Sequence, residues 1–238
     1  MKRSRALLLL LFLFTFFAAN AQQVADTAVY TKYATDTIAP LRFSYHQLYV
    51  PGGLVAAGLA TFWNKKEGVK NELVELRDNH FSSFRTHIDN YLQFSPFLIA
   101  YGLDAAGVKS KTDFMNRSAI MFKGEVMMLG IVYILKNSVK ELRPDGSAYN
   151  SFPSGHTAQA FAAATLLSEE YKDRFKWMPY AAYGLASGVG VLRMANNKHY
   201  ICDILVGAGI GVLSMKVAYW THHYKWGRKK IVFNPADY

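Results

Sequence analysis

Three short stretches of this chain carry side chains whose types and spacing suit the handling of an anion. In the first, Lys136 and Arg143 stand seven positions apart, and Pro144 follows. Once the chain turns, two such cations can face one anion. Arginine offers a planar fork matched to phosphate oxygens, lysine a compact point charge, and the proline stiffens the turn. The second stretch, Phe152-Pro153-Ser154-Gly155-His156-Thr157, leads into an Ala-rich run over Ala158–Leu167. Ser154 suits an N-cap and Gly155 permits close backbone approach. The helix start behind them offers free N–H groups and a positive dipole end, which together make an anion site. His156, in that first turn, can donate a proton to a departing oxygen. The third stretch is Arg193-x5-His199-x3-Asp203. A carboxylate four residues after a histidine can bind one imidazole nitrogen and leave the other free as a nucleophile. Arg193 adds a third cation for the same anion.

Taken singly, each stretch has a plain structural reading: solvated basic residues, a capped helix start, a surface His–Asp pair. Taken together and in this order, they resemble the signature of the type 2 phosphatidic acid phosphatases, a superfamily that also includes bacterial class A acid phosphatases and vanadium haloperoxidases. The motifs occupy residues 136–203 and the surrounding helix order extends the resemblance over about 43–221. One departure is that Leu192 stands where the family usually has Ser. The resemblance implies that His199 attacks phosphorus to give a phosphohistidine, that Asp203 orients His199, and that His156 protonates the leaving oxygen and later activates water. It further implies that Lys136, Arg143 and Arg193, with Ser154 and the Gly155 amide, hold the phosphate oxygens.

Those roles agree with the physics of phosphoryl transfer, which needs positioning and charge neutralisation more than covalent chemistry. Many phosphatases use a metal for the second task. Here three cations and a helix N-terminus can do it, and no Cys/His/Asp cluster has zinc spacing, so neither metal nor cofactor is expected. His222 and His223 are adjacent, point apart on a helix, and read as interfacial rather than as ligands.

The elements that must position these groups read as helices. The 238 residues are 51% hydrophobic and 15% aromatic, which excludes disorder, and the one cysteine, Cys202, excludes a disulfide scaffold. Lys2, Arg3 and Arg5 precede an apolar run over Ala6–Phe17 and the small-x-small sequence Ala19-Asn20-Ala21, the pattern of a signal peptide spanning 1–21. Its removal discards three of the cations behind the net charge of +10. An exported chain without a Lys/Arg stripe or nucleic-acid motif is not expected to bind nucleic acid. Residues 22–42 read as an extended leader, 43–224 as one phosphatase domain, and 225–238 as a basic tail. Within the domain, helical segments are expected over Phe43–Asn64, Asn71–Phe84 (amphipathic), Tyr91–Leu103, Ser118–Leu135, Thr157–Ser168, Trp177–Leu192 and Ile204–Tyr219. Almost no stretch alternates as a strand would. The fold class is therefore all-α, a bundle of about six core helices.

Membrane association is expected, with the number of true spans set by the individual segments. A span needs about 20 mostly apolar residues, and Lys123 and Glu125 are poorly placed for one unless near an end. If all six segments crossed, the active site of an exported chain would face the cytoplasm, whereas the family's six-span members place it outside. Either an early segment does not span, or the bundle is soluble or only surface-embedded. The expected localisation is the cell envelope, with the site outside the cytoplasm, and the expected substrate a phosphorylated lipid or a small phosphoester. The rival readings are a soluble acid phosphatase, a vanadate-dependent haloperoxidase, and a non-catalytic protein binding anionic lipid head groups. Phe81, Phe84, Tyr91 and Phe94 could line an acyl groove, but aromatic residues at helical spacing are more often core.

Overall fold

The computed structural model describes residues 41, 43–63 and 68–223. The expected signal peptide, nearly all of the leader and the basic tail lie outside the described residues. Among the described residues there are eight helices and no strand: α1 (His46–Phe62), α2 (Val69–Phe81), α3 (Asp89–Leu92), α4 (Ser95–Ala105), α5 (Phe114–Val139), α6 (Gly155–Tyr171), α7 (Met178–Ala195) and α8 (Ile201–Trp220). The bundle of six is made by α1 and α4 to α8. The expected Tyr91–Leu103 segment is divided between the short α3 and α4, with Pro96 accommodated in the first turn of α4, where a missing N–H costs nothing.

Two inner helices set the architecture. α6 is buried around its whole circumference, with Ala158, Ala160, Ala162, Ala163 and Ala164 fully enclosed, the signature of a helix surrounded by protein. α8 lies against α6, α1 and α5, and its glycines allow this. A Cβ on Gly207 would lie 2.6 Å from the carbonyl oxygen of Ser154, and one on Gly211 would lie 2.2 Å from that of Ala158. Only glycine permits two backbones to approach so closely. A polar cluster closes the far end of the bundle: Glu170 accepts from the Thr112 amide (2.8 Å) and from the Tyr219 hydroxyl (2.6 Å), and Arg117 pairs with Asp104 at 2.6 Å.

The C-termini of α5 and α7 and the N-termini of α6 and α8 meet at the other end, and all three motifs lie there. Lys136 does not follow α5, as the sequence suggests, but sits inside its last turn, because the helix runs on to Val139 and ends at Lys140 in the left-handed conformation (φ 49°). The four aromatic residues expected in the core are instead exposed: Phe81 59%, Phe84 38%, Tyr91 79% and Phe94 45%. They sit on α2 and α3 and in the short turns that follow those two helices.

α5 lies on the outside of the bundle, with six of its 26 residues buried. Phe122, Val126, Leu129 and Tyr133, spaced four, three and four residues apart, form one exposed apolar stripe along it. Of its two awkward charges, Lys123 reaches the C-terminus of α8, donating to the Thr221 carbonyl at 3.0 Å, and Glu125 has a buried carboxylate oxygen. By length and composition α5 and α8 can each cross a membrane, with mean hydropathies of 1.6 and 1.8.

Candidate active site

The third motif is shaped by a helix start. α7 ends at Arg193-Met194-Ala195, and Asn197 takes a left-handed conformation (φ 58°) that returns the chain into α8. Asp203 is the third residue of α8, and its carboxylate reaches back to accept from the Tyr200 amide at 2.9 Å, half of a capping box. The same oxygen, Oδ2, accepts from the Ser151 hydroxyl at 2.5 Å and lies 3.3 Å from His199 Nδ1. One fully buried carboxylate therefore caps the helix and holds the imidazole. With Nδ1–H donated to Asp203, the lone pair of His199 is on Nε2. Burial lowers the His199 pKa, and the charges of Arg193 and Lys136 lower it further against the opposing pull of Asp203, to about 4. The ring is neutral at neutral pH, the state a nucleophile needs.

The second motif forms a helix cap and places His156 in the first turn behind it. Ser154 is the N-cap of α6, its Oγ accepting from the Thr157 amide (3.4 Å) and lying 2.9 Å from Thr157 Oγ1. Its hydroxyl thus serves the helix, while its amide donates to the Asp203 carbonyl at 3.0 Å and ties the second motif to the third. The first amides of α6, at Gly155 and His156, have no acceptor within the helix and are the free donors an anion can take. Gly155 itself packs toward Lys136, whose Cε lies 4.0 Å from where its Cβ would be. His156 Nε2 lies 2.9 Å from Asn90 Oδ1. Burial, then Arg193, lowers its pKa to about 4, against the opposing effect of Asp89.

The first motif folds over the third. Arg143 and Gly146 close a turn, and Asp145 binds Lys198 at 2.5 Å while its amide donates to the Asn197 carbonyl at 3.2 Å. Although burial opposes it, the bonds from Lys198 and Ser147 hold the Asp145 pKa down at about 2, so this latch stays charged. Burial and the neighbouring Arg193 guanidinium both lower the Arg143 pKa. The lysine ammonium of Lys136 donates to the Asn150 carbonyl.

The structure thus brings together all eight residues singled out from sequence. The three cations are close enough for Arg193 to lower the pKa of Arg143 and for both Arg193 and Lys136 to act on His199. Their charge is incompletely answered. Arg193 pairs with Asp89 at 2.6 Å, yet its Nε, like that of Arg143, is buried with no hydrogen-bond partner among the described residues. Two buried guanidinium donors without acceptors among the described residues, beside a neutral histidine oriented by a carboxylate, form an arrangement that can receive a tetrahedral oxyanion.

Four contributors were not singled out from sequence. Asp89 and Asn196 hold Arg193 and the chain around it, Asn90 meets His156, and Ser151 binds Asp203. Ser151 stands three residues before Ser154, but nothing in its spacing marks it. Asp89, Asn90 and Asn196 are single polar residues with no motif to find them by.

Comparison with known proteins decides the family. The family model of the PAP2 superfamily matches residues 120–227. Residues 120–227 of the chain belong to the PAP2 superfamily. A lipid A 1-phosphatase of Porphyromonas gingivalis is 40% identical over 168 residues, 70% of this chain and 37% of that protein. The bacitracin transport permease protein BcrC of Bacillus licheniformis is 38% identical over 72 residues, 30% of this chain and 34% of that protein. The PAP2 chain thus spans little more than a third of the length of these relatives. Among solved structures, Aquifex aeolicus LpxE matches with a TM-score of 0.49 at 20% identity, covering 64% of this chain and 96% of that one. A transmembrane PAP2-type phosphatidylglycerolphosphate phosphatase from Bacillus subtilis matches with a TM-score of 0.45 at 19% identity, covering 71% and 94%.

Proposed function

We propose that this PAP2 protein is a phosphatase that releases phosphate from a phosphorylated lipid through a phosphohistidine intermediate. The observation that carries the proposal is the pair of buried, unpartnered guanidinium nitrogens on Arg143 and Arg193 beside the His199–Asp203 pair. In this mechanism the phosphoryl group enters among Lys136, Arg143, Arg193 and the first amides of α6. His199 Nε2 forms the N–P bond as the ester P–O bond breaks, and Asp203 stabilises the positive charge that grows on the ring. His156 supplies a proton to the leaving oxygen, then takes one from the water that cleaves the N–P bond.

Two features favour a lipid as the leaving group. The exposed apolar stripe of α5 suits contact with acyl chains, and at 26 residues the helix is long enough for a hydrocarbon core about 30 Å thick. The Porphyromonas gingivalis relative is described as a lipid A 1-phosphatase. The signal-peptide pattern of residues 1–21 favours a site on the outer side of the membrane, where protease added to spheroplasts would cut the loop over 140–154.

The test is phosphate release by the purified protein from a phosphorylated lipid in mixed micelles and from para-nitrophenyl phosphate. The proposal expects turnover of the lipid to exceed that of the soluble ester, to survive EDTA and to be inhibited by vanadate. Preference for the soluble ester would overturn the lipid assignment. Absence of phosphate release from both would overturn the phosphatase reading.

A further inference from the structure

We propose that Asn90 is a positioning residue that fixes which nitrogen of His156 handles the proton. The inference rests on the phosphatase reading above and adds a residue to it that lies in none of the three motifs. Asn90 Oδ1, a carbonyl oxygen, can only accept, so the contact at 2.9 Å is a donation from His156 Nε2–H. That bond places the lone pair of the neutral ring on Nδ1. Nδ1 is then the atom that, once protonated, gives its proton to the leaving oxygen, and that later removes one from water.

Asn90 is itself held in place. It is the second residue of α3, and its neighbour Asp89 is 1% exposed and paired with Arg193 Nη1 at 2.6 Å. Asn196, at the end of α7, donates to the Thr86 carbonyl at 3.0 Å and accepts from the Thr86 amide at 2.9 Å, with Asp89 Oδ1 at 3.3 Å. The Gln93 side chain donates to the Asn90 carbonyl at 2.8 Å. The same few residues therefore set both a phosphate-facing guanidinium and the acid–base ring. Adjacent positions 89 and 90 connect the two functions.

The choice of an amide is chemically informative. The charged groups acting on His156 are Arg193, Arg143 and Asp89, with His199 the other titratable neighbour. A carboxylate at position 90 would add a second negative charge and hold the ring protonated, which suits an acid but not a base. A neutral acceptor orients the ring in both states and so serves both half-reactions.

The experiment compares wild type, Asn90→Ala and Asn90→Asp on phosphatidic acid, with its poor alkoxide leaving group, and on para-nitrophenyl phosphate, whose leaving group barely needs a proton. Because the Asn90 side chain is exposed, melting of the variants should match wild type. Asn90→Ala should lower kcat/KM, which reports only the phosphorylation of His199, by about tenfold or more on phosphatidic acid and by less than about twofold on para-nitrophenyl phosphate, a misdirected general acid losing part of its roughly 10²–10⁴-fold contribution. Asn90→Asp should move the alkaline limb of the kcat profile on phosphatidic acid up by about 1 pH unit. Equal losses on both substrates, no loss on either, or an unmoved limb in Asn90→Asp would overturn the inference while leaving the phosphatase reading intact. A wild type that releases phosphate from neither substrate would overturn both.

Discussion

The buried pair with Asp89 and the proposed contact with phosphate give Arg193 two duties that one pair of substitutions can separate. Its guanidinium is 2.6 Å from Asp89, and both side chains are nearly buried, at 8% and 1% exposure. Replacing Arg193 by Met keeps most of the volume but leaves the Asp89 carboxylate buried with Asn196 Nδ2, at 3.3 Å, as its remaining side-chain partner. Breaking a buried pair in this way costs about 3–5 kcal/mol, mostly from the charge left behind. At about 2–4 °C per kcal/mol for a domain of this size, the melting temperature of Arg193→Met should fall by roughly 6–20 °C. Adding Asp89→Asn removes the stranded charge and should recover at least half of that loss. Activity should behave differently. The single variant loses a phosphate-facing cation, and the double variant, though refolded, should remain at least about 10²-fold below wild type in kcat/KM, because a charge-assisted contact of about 3 kcal/mol is still missing. Thermal denaturation in detergent and phosphate release would be measured on the same samples. A melting temperature unchanged in the single variant would refute the buried-pair argument. Activity that returned with stability in the double variant would refute the assignment of Arg193 to the phosphate.

Two further outcomes follow from the His199–Asp203 pair. Asp203→Asn keeps the shape but removes the charge that accepts from Ser151, Tyr200 and His199, so kcat should fall by about 10²-fold, the loss of roughly 3 kcal/mol at 1.36 kcal/mol per tenfold; a value within threefold of wild type would count against the role. The lowered pKa of His199 sets the sign of the acid response: the ring is neutral above about 4 and protonated below it. Labelling by para-nitrophenyl phosphate, whose leaving group barely needs the His156 proton, should therefore stay level from neutral pH down to about 5 and collapse below about 4, whereas an exposed histidine would lose activity through about 6.5. Because the unfolded ring binds its proton at that higher pH, the folded state should also lose stability as pH falls from about 6.5 toward 4.

The sequence made the helices with long apolar runs legible, and its misplacements have local causes. α5 begins at Phe114 rather than Ser118 because Asp113 caps it, accepting from the Met115 and Asn116 amides at 3.1 Å, and because Asn116 and Arg117 are buried. α6 runs past Ser168 because Glu169 and Glu170, which look like solvent-facing residues at a helix exit, are buried against Lys216 and Tyr219. The motif residues were legible because chemistry constrains them at fixed spacing. Asp89, Asn90 and Asn196 were not, since their partners lie 66 to 110 positions away in sequence and no periodicity reports so distant a contact. Ser154 shows the converse: its type was legible, but its hydroxyl is spent on capping α6.

The covalent intermediate on His199 is the central claim, and alkali-quenched or rapid-filter trapping with a phosphoryl-labelled lipid tests it most directly. Wild type should carry label that is stable to base, labile to acid and located by mass on the peptide containing His199, and His199→Ala should carry none. Label that persists in His199→Ala, or steady turnover with no label on wild type under conditions that trap phosphohistidines, would contradict it.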